Sequence, residues 1–128
     1  MGFIKDDLTA VNEPKPASEG TYDLKIIKAA EKESKKGRDM IQLLIGFDDG
    51  TNAPPFNHFL MNPTDDDDEN QRELRLLELK RFCSAFDTSE DFDASDLPGC
   101  SAHGIFVIQE EGDDGIIRNR MKLPRLKE

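Results

Sequence analysis

From residue 20 the chain alternates with a period of two. Tyr22, Leu24 and Ile26 fall on one side and Asp23, Lys25 and Ile27 on the other, the pattern of a half-buried strand. Residues 31–38, EKESKKGR, are polar and carry a glycine near the tip of a loop. A second alternation follows, with Ile41, Leu43, Ile45 and Phe47 on one face, closed by Asp48-Asp49-Gly50. After Pro54-Pro55 a third short strand spans residues 56–61, and Pro63 ends it. Thr64 and Asp65 then offer helix N-caps, with acid stacked behind them where it suits the helix dipole. Residues 70–86 change to a helical period. Leu74, Leu77, Phe82 and Ala85 form a stripe that Leu76, Leu79, Cys83 and Phe86 widen. An acidic loop, residues 87–99, leads to a fourth strand at about residues 102–110 and to the turn Glu111-Gly112-Asp113-Asp114-Gly115. In the fifth strand Ile117, Met121 and Leu123 alternate with Arg118, Arg120 and Lys122. Asn119 is the one polar residue on the apolar side.

The order is β-β-β-α-β-β, the connectivity of the OB-fold, a partly open five-stranded barrel with one helix between strands three and four. The fold class expected is mainly β, with the apolar helix stripe capping one end of the barrel. Residues 1–19, interrupted by Pro14 and Pro16 and followed by Gly20, read as an N-terminal arm; residues 20–124 as the domain; residues 125–128 as a short basic tail.

The length of 128 residues suits one domain with one modest core. No apolar run approaches the length of a transmembrane helix, and the first residues lack the layout of a signal peptide. The expected location is the cytoplasm, with no membrane partner. Cys83 and Cys100 are too few for a disulfide framework and are expected to be free thiols. Together with His58 and His103 they show no metal-ligand spacing, and counting from Asp91 the acidic loop lacks the glycine and glutamate of a calcium loop. No phosphate-cradling glycine loop and no nucleophile elbow is present. Neither metal, cofactor nor enzymatic activity is expected.

A formal charge of -10 argues, taken alone, against nucleic acid. Its distribution changes the picture. Residues 48–114 carry eighteen acidic and four basic side chains, whereas the two flanking segments hold thirteen of the seventeen cations. A fold that brings the flanks together places a basic face on an acidic protein.

Two stretches carry a resemblance. Glu19-Gly20-Thr21-Tyr22-Asp23-Leu24-Lys25-Ile26 followed by Glu33-Ser34-Lys35-Lys36-Gly37-Arg38-Asp39-Met40-Ile41 resembles the opening hairpin of bacteriophage single-stranded DNA-binding proteins. The segment Leu77-Glu78-Leu79-Lys80-Arg81-Phe82-Cys83, an acidic loop and Leu97-Pro98-Gly99-Cys100 are similar to the same family. The likeness covers roughly residues 19–123 and rests on short motifs. It implies an OB-fold that coats single-stranded DNA in phage replication, recombination or repair, in the host cytoplasm. One departure is the basic end of this sequence, where many such proteins carry an acidic tail that recruits partners.

Sequence-tolerant binding needs cations along the phosphates and flat side chains for bases to stack on. Lys32, Lys35, Lys36 and Arg38 supply the first from the hairpin loop, Lys25 from strand one, and Arg118, Arg120 and Lys122 from strand five. With the fifth strand beside the first, both basic segments would share a face. The bland reading of these residues is a polar hairpin tip and a solvated strand face. Phe59 points outward if Leu60 points inward, and then offers a stacking surface; its alternative is packing under the helix. Tyr22 follows the core alternation. Gln42, on the outer face of strand two, is placed to hydrogen-bond a base or sugar. With so few aromatic residues, electrostatics would dominate and salt dependence would be steep. The rival function is an acidic protein-interaction module, a DNA mimic or a partner of replication proteins, which accounts for the charge but not for the segregated cations. An edge left by a partly open barrel would also allow pairing with a second copy.

Overall fold

The computed structural model describes residues 2–9, 15–33, 39–64 and 66–126. Five antiparallel strands, β1 (Gly20–Glu33), β2 (Asp39–Phe47), β3 (Phe56–Met61), β4 (Ser101–Glu111) and β5 (Ile117–Lys122), form one sheet in the order β3-β2-β1-β4-β5. The sheet curls until its edge strands β3 and β5 approach one another, so the protein is a nearly closed, OB-fold-like barrel. A single helix, α1 (Glu69–Phe86), lies between β3 and β4.

The alternations read from the sequence hold in the strands. Leu24 and Ile26 of β1, Leu43 and Ile45 of β2, Phe56 and Leu60 of β3, Ile105 and Val107 of β4 and Met121 of β5 point inward and are buried. They pack into one core with Phe82, Cys83 and Phe86 of the helix and Leu97 of the acidic loop. That burial of apolar surface is what holds a five-stranded barrel of this size together.

The alternation breaks in two strands, in β4 between Ala102 and Ile105, where Gly104 has a φ of 64°, and in β1. The register of β1 against β2 slips between Ile26 and Lys28, a bulge that leaves Ile27 as the extra residue. Gly46 lies across from it, and a Cβ there would stand 2.6 Å from Ile27 Cδ1. The absence of a side chain at residue 46 is what lets Ile27 lie over the neighbouring strand. Beyond the bulge the parity of β1 reverses, so Ala29 packs against the core.

Three expectations are corrected. β5 does not lie beside β1. β4 occupies that place, pairing Gly20 with Val107 and Lys25 with Ser101, and β5 hangs from the outer side of β4 through the 112–116 turn. A tight hairpin allows no other arrangement once β4 has taken the edge of β1. The helix cap is Asp68 rather than Thr64 or Asp65: the Asp68 carboxylate accepts from Gln71 N at 2.7 Å while Gln71 Oε1 accepts from Asp68 N at 3.3 Å, a reciprocal capping box. Thr64 instead closes a preceding turn, its N–H donating to Asp67 Oδ2 at 3.0 Å; Asp65 lies outside the described residues. Finally, the apolar stripe of the helix is engaged only near its C-terminal end. Phe82, Cys83 and Phe86 are buried, whereas Leu74 and Leu76 are exposed.

The arm reaches the barrel at its C-terminal end. Ala17 is buried, its N–H donates to Asn119 Oδ1 at 2.7 Å, and its carbonyl accepts from Asn119 Nδ2 at 2.9 Å and from Gln109 Nε2 at 2.9 Å. This accounts for the polar residue on the apolar side of β5: Asn119 satisfies the backbone of a buried strap. Tyr22 adds a bond from its hydroxyl to the Ser18 carbonyl at 2.6 Å and packs edge-on to Phe47. No helix among the described residues is long and apolar enough to cross a membrane.

Candidate nucleic-acid interface

The register of β1, β2 and β3 defines three cross-strand rows on the outward parity of the sheet. Lys28, Leu44 and Asn57 form the first, Ala30, Gln42 and Phe59 the second, and Lys32, Met40 and Met61 the third. Gln42 and Asn57 face the same way, with Gln42 Nε2 donating to Asn57 Oδ1 at 3.3 Å. Phe59 points outward, 43% exposed, while Phe56, His58 and Leu60 are buried behind it. An aromatic ring that open on a sheet face is available to a flat ligand. Lys28 and Lys32 are exposed and have no ion pair among the described residues.

Phe59 also borders the gap where the barrel stays open. There β3 and β5 flank a groove of about 700 Å³. Asn57, Phe59 and Met61 line one side, Arg118 and Arg120 the other, and Arg75 of the helix closes one end. The basic row of β5 therefore faces β3 across the seam, not β1. Both arginines are already engaged: Arg118 Nη2 lies 2.8 Å from Asp114 Oδ2, and Arg120 Nη1 lies 3.0 Å from Glu110 Oε2. The Arg118 guanidinium, helped by the Ile116 N–H, holds the Asp114 carboxyl below its usual range. These pairs are exposed, so each contributes little to stability and exchanges readily for another anion. Arg75 lies 3.3 Å from Asp67.

His58 forms part of the groove wall from the buried side of β3, at 8% exposure. Burial, and secondarily the charge of Arg120, push its imidazole down to about 4, so it is neutral at physiological pH. Its Nε2 is buried and has no hydrogen-bond partner among the described residues.

The remaining sequence-derived residues fall elsewhere. Lys25 is outward on β1 but before the bulge, opposite Gly46, with its Nζ 3.9 Å from Asp48 Oδ1. Lys122 is exposed on β5 and lies opposite Phe106 of β4. Lys32, in the third row of the face, also borders a second groove, of about 610 Å³, between the far ends of β1 and β2 and the helix. Lys35, Lys36 and Arg38 lie outside the described residues. The structure thus brings together Gln42, Phe59, Lys32, Arg118 and Arg120, and leaves Lys25 and Lys122 apart from them.

One residue of this surface escapes a reading by alternation. Lys28 gains its outward place only through the bulge, for which the doubled Ile26-Ile27 and the glycine at 46 are the sole traces in the sequence. Phe106, 44% exposed on β4 opposite Lys122, is a second open ring that the sequence reading did not name, although alternation from Ile105 and Val107 places it outward. Among the described residues no three histidine, cysteine or acidic side chains converge as metal ligands. Cys83 and Cys100 are free thiols, the first buried. Neither the known protein-family profiles nor the curated proteins contain a match to this chain.

Proposed function

We propose that this protein binds single-stranded DNA without strong sequence preference, across the outward face of β1–β3 and the adjoining β3–β5 seam. The observation that carries the reading is the meeting, on one face, of cations with no ion pair among the described residues (Lys28 and Lys32), an exposed ring (Phe59) and a hydrogen-bonding amide (Gln42), beside a groove walled by Arg118 and Arg120. Cations neutralise phosphates and the ring offers a stacking surface that any base satisfies. The resemblance to phage single-stranded DNA-binding proteins extends the reading to coating and protecting DNA in replication, recombination or repair. The acid of residues 48–114 then forms the remainder of the surface, where it repels duplex and is open to basic partner proteins.

The engaged arginines favour one rival. If Asp114 and Glu110 hold Arg118 and Arg120 permanently, the face is near neutral and the molecule acts as an acidic protein-interaction module instead. Titration into a fluorescently labelled dT oligonucleotide at low and moderate salt, with a duplex of equal length alongside, separates the two. Single-strand binding that weakens with salt supports the proposal. No binding at low salt overturns it and leaves the rival.

A further inference from the structure

The β3–β5 seam contains a polar atom that the fold does not satisfy. His58 sits between Phe56 and Leu60 on the inward parity of β3, and its buried Nε2 lacks a partner among the described residues. An unsatisfied buried polar atom costs about 1–3 kcal/mol, which a fold of this size does not carry without a reason. The atom belongs to a side chain that lines an accessible groove, so a ligand entering there can reach it. The groove volume of about 700 Å³ falls in the range of small-molecule sites, about 300–1,000 Å³.

The walls define the ligand's chemistry. Phe56, Leu60 and Leu79 are apolar, so the inner part suits a flat ring rather than a hydrated ion. A neutral imidazole nitrogen matches the N–H or the C=O of a base edge and gives an anion no charge to bind. Arg75, Glu78 and Glu110 also line the groove; the cations of the β5 wall are Arg118 and Arg120, whose exposed carboxylate partners exchange readily for phosphate oxygens. An apolar floor, a buried neutral nitrogen with no partner among the described residues and a wall bearing two arginines together fit one nucleotide.

We propose that the seam is a nucleobase subsite, in which His58 Nε2 hydrogen-bonds the edge of one base while Arg118 and Arg120 hold the adjoining phosphate. The inference rests on the single-stranded DNA reading and deepens it. A base whose Watson–Crick edge is already paired cannot present that edge to His58, so the subsite selects single strands over duplex. Phe59, at the mouth of the groove, is placed to stack the next base.

The test uses two dT oligonucleotides, one unmodified and one with abasic spacers throughout, against the native chain and His58→Leu. The native protein should prefer the unmodified strand. His58→Leu should weaken that strand roughly five- to tenfold, leave the abasic strand unchanged and leave the salt slope unchanged. A second measurement needs no variant. The chain has two histidines, His58 and His103, so nitrogen resonances of histidine-labelled protein report each ring directly. Saturation with dT should move the His58 Nε2 signal and not that of His103, which is exposed beside Asp23. Binding of dT with the His58 resonance unmoved, or with His58→Leu equal to the native chain on both strands, overturns the subsite while leaving the DNA-binding reading in place. Failure of the native chain to bind either strand overturns both.

Discussion

Acid should unfold this protein earlier than its exposed carboxylates require, and the group responsible is His58. In the unfolded chain its imidazole titrates near 6.5; in the barrel, burial and the nearby Arg120 charge lower that to about 4. The groups that share its groove are Arg75, Arg118 and Arg120, which oppose protonation, and Glu78 and Glu110, which favour it. Below 6.5 the unfolded chain takes up a proton that the folded chain refuses, so folding stability falls as pH falls towards 4. At about 1.4 kcal/mol for each tenfold difference in proton affinity, the full window corresponds to about 3 kcal/mol. That is a large fraction of the roughly 5–15 kcal/mol typical of a domain. Urea unfolding of the native chain and of His58→Leu, from about pH 7.5 to about pH 4.5, isolates the effect because carboxylate contributions are common to both. The native chain should lose roughly 2–3 kcal/mol more than the variant over that range. Parallel stability curves, within about 0.5 kcal/mol, would refute the reasoning and place a proton on His58 in the folded state.

Four further outcomes are expected. Phe59→Ala should weaken single-strand binding by about 1–3 kcal/mol in a fluorescence titration while leaving its salt slope unchanged; a changed slope would count against stacking. Lys28→Ala with Lys32→Ala should lower that slope by about 1.4, since each phosphate contact on a single strand contributes about 0.7. Asn119→Ala removes the buried amide that ties Ala17 to β5; it should cost about 1–3 kcal/mol and speed hydrogen exchange at the Ala17 N–H, whereas unchanged exchange would show that the strap holds without it. Asp68→Ala removes one half of the capping box and should lower stability by about 1 kcal/mol in a thermal melt; the same change at Thr64 should have a smaller effect on the helix.

Much of the barrel was legible along the chain because its signals are local. A strand with one face in the core must alternate, and β2, β3 and β5 do so without interruption. Turn residues and prolines mark most strand ends, since few other residues adopt those backbone angles; Gly115, at a φ of 77°, closes the β4–β5 turn in this way. The outward placing of Phe59 and Gln42 followed from parity alone. The helix was legible as a helix but not in its docking. Its periodic stripe is as long as the helix, yet only the last turns meet the barrel, because the length of a stripe does not say where its partner surface ends.

What the sequence determined by itself is therefore the set of elements, their faces and the segregation of charge between the flanks and the middle. What only the tertiary structure decided is which elements meet. Strand order is a long-range choice: β4 takes the edge of β1, the hairpin carries β5 outward, and the basic row arrives opposite β3 across an open seam. The bulge at Ile27 is likewise settled between strands, by the space above Gly46, and it alone turns Lys28 to the candidate face. Even the protonation of His58 is a tertiary property, because an imidazole loses its charge to burial among residues that lie far from it along the chain.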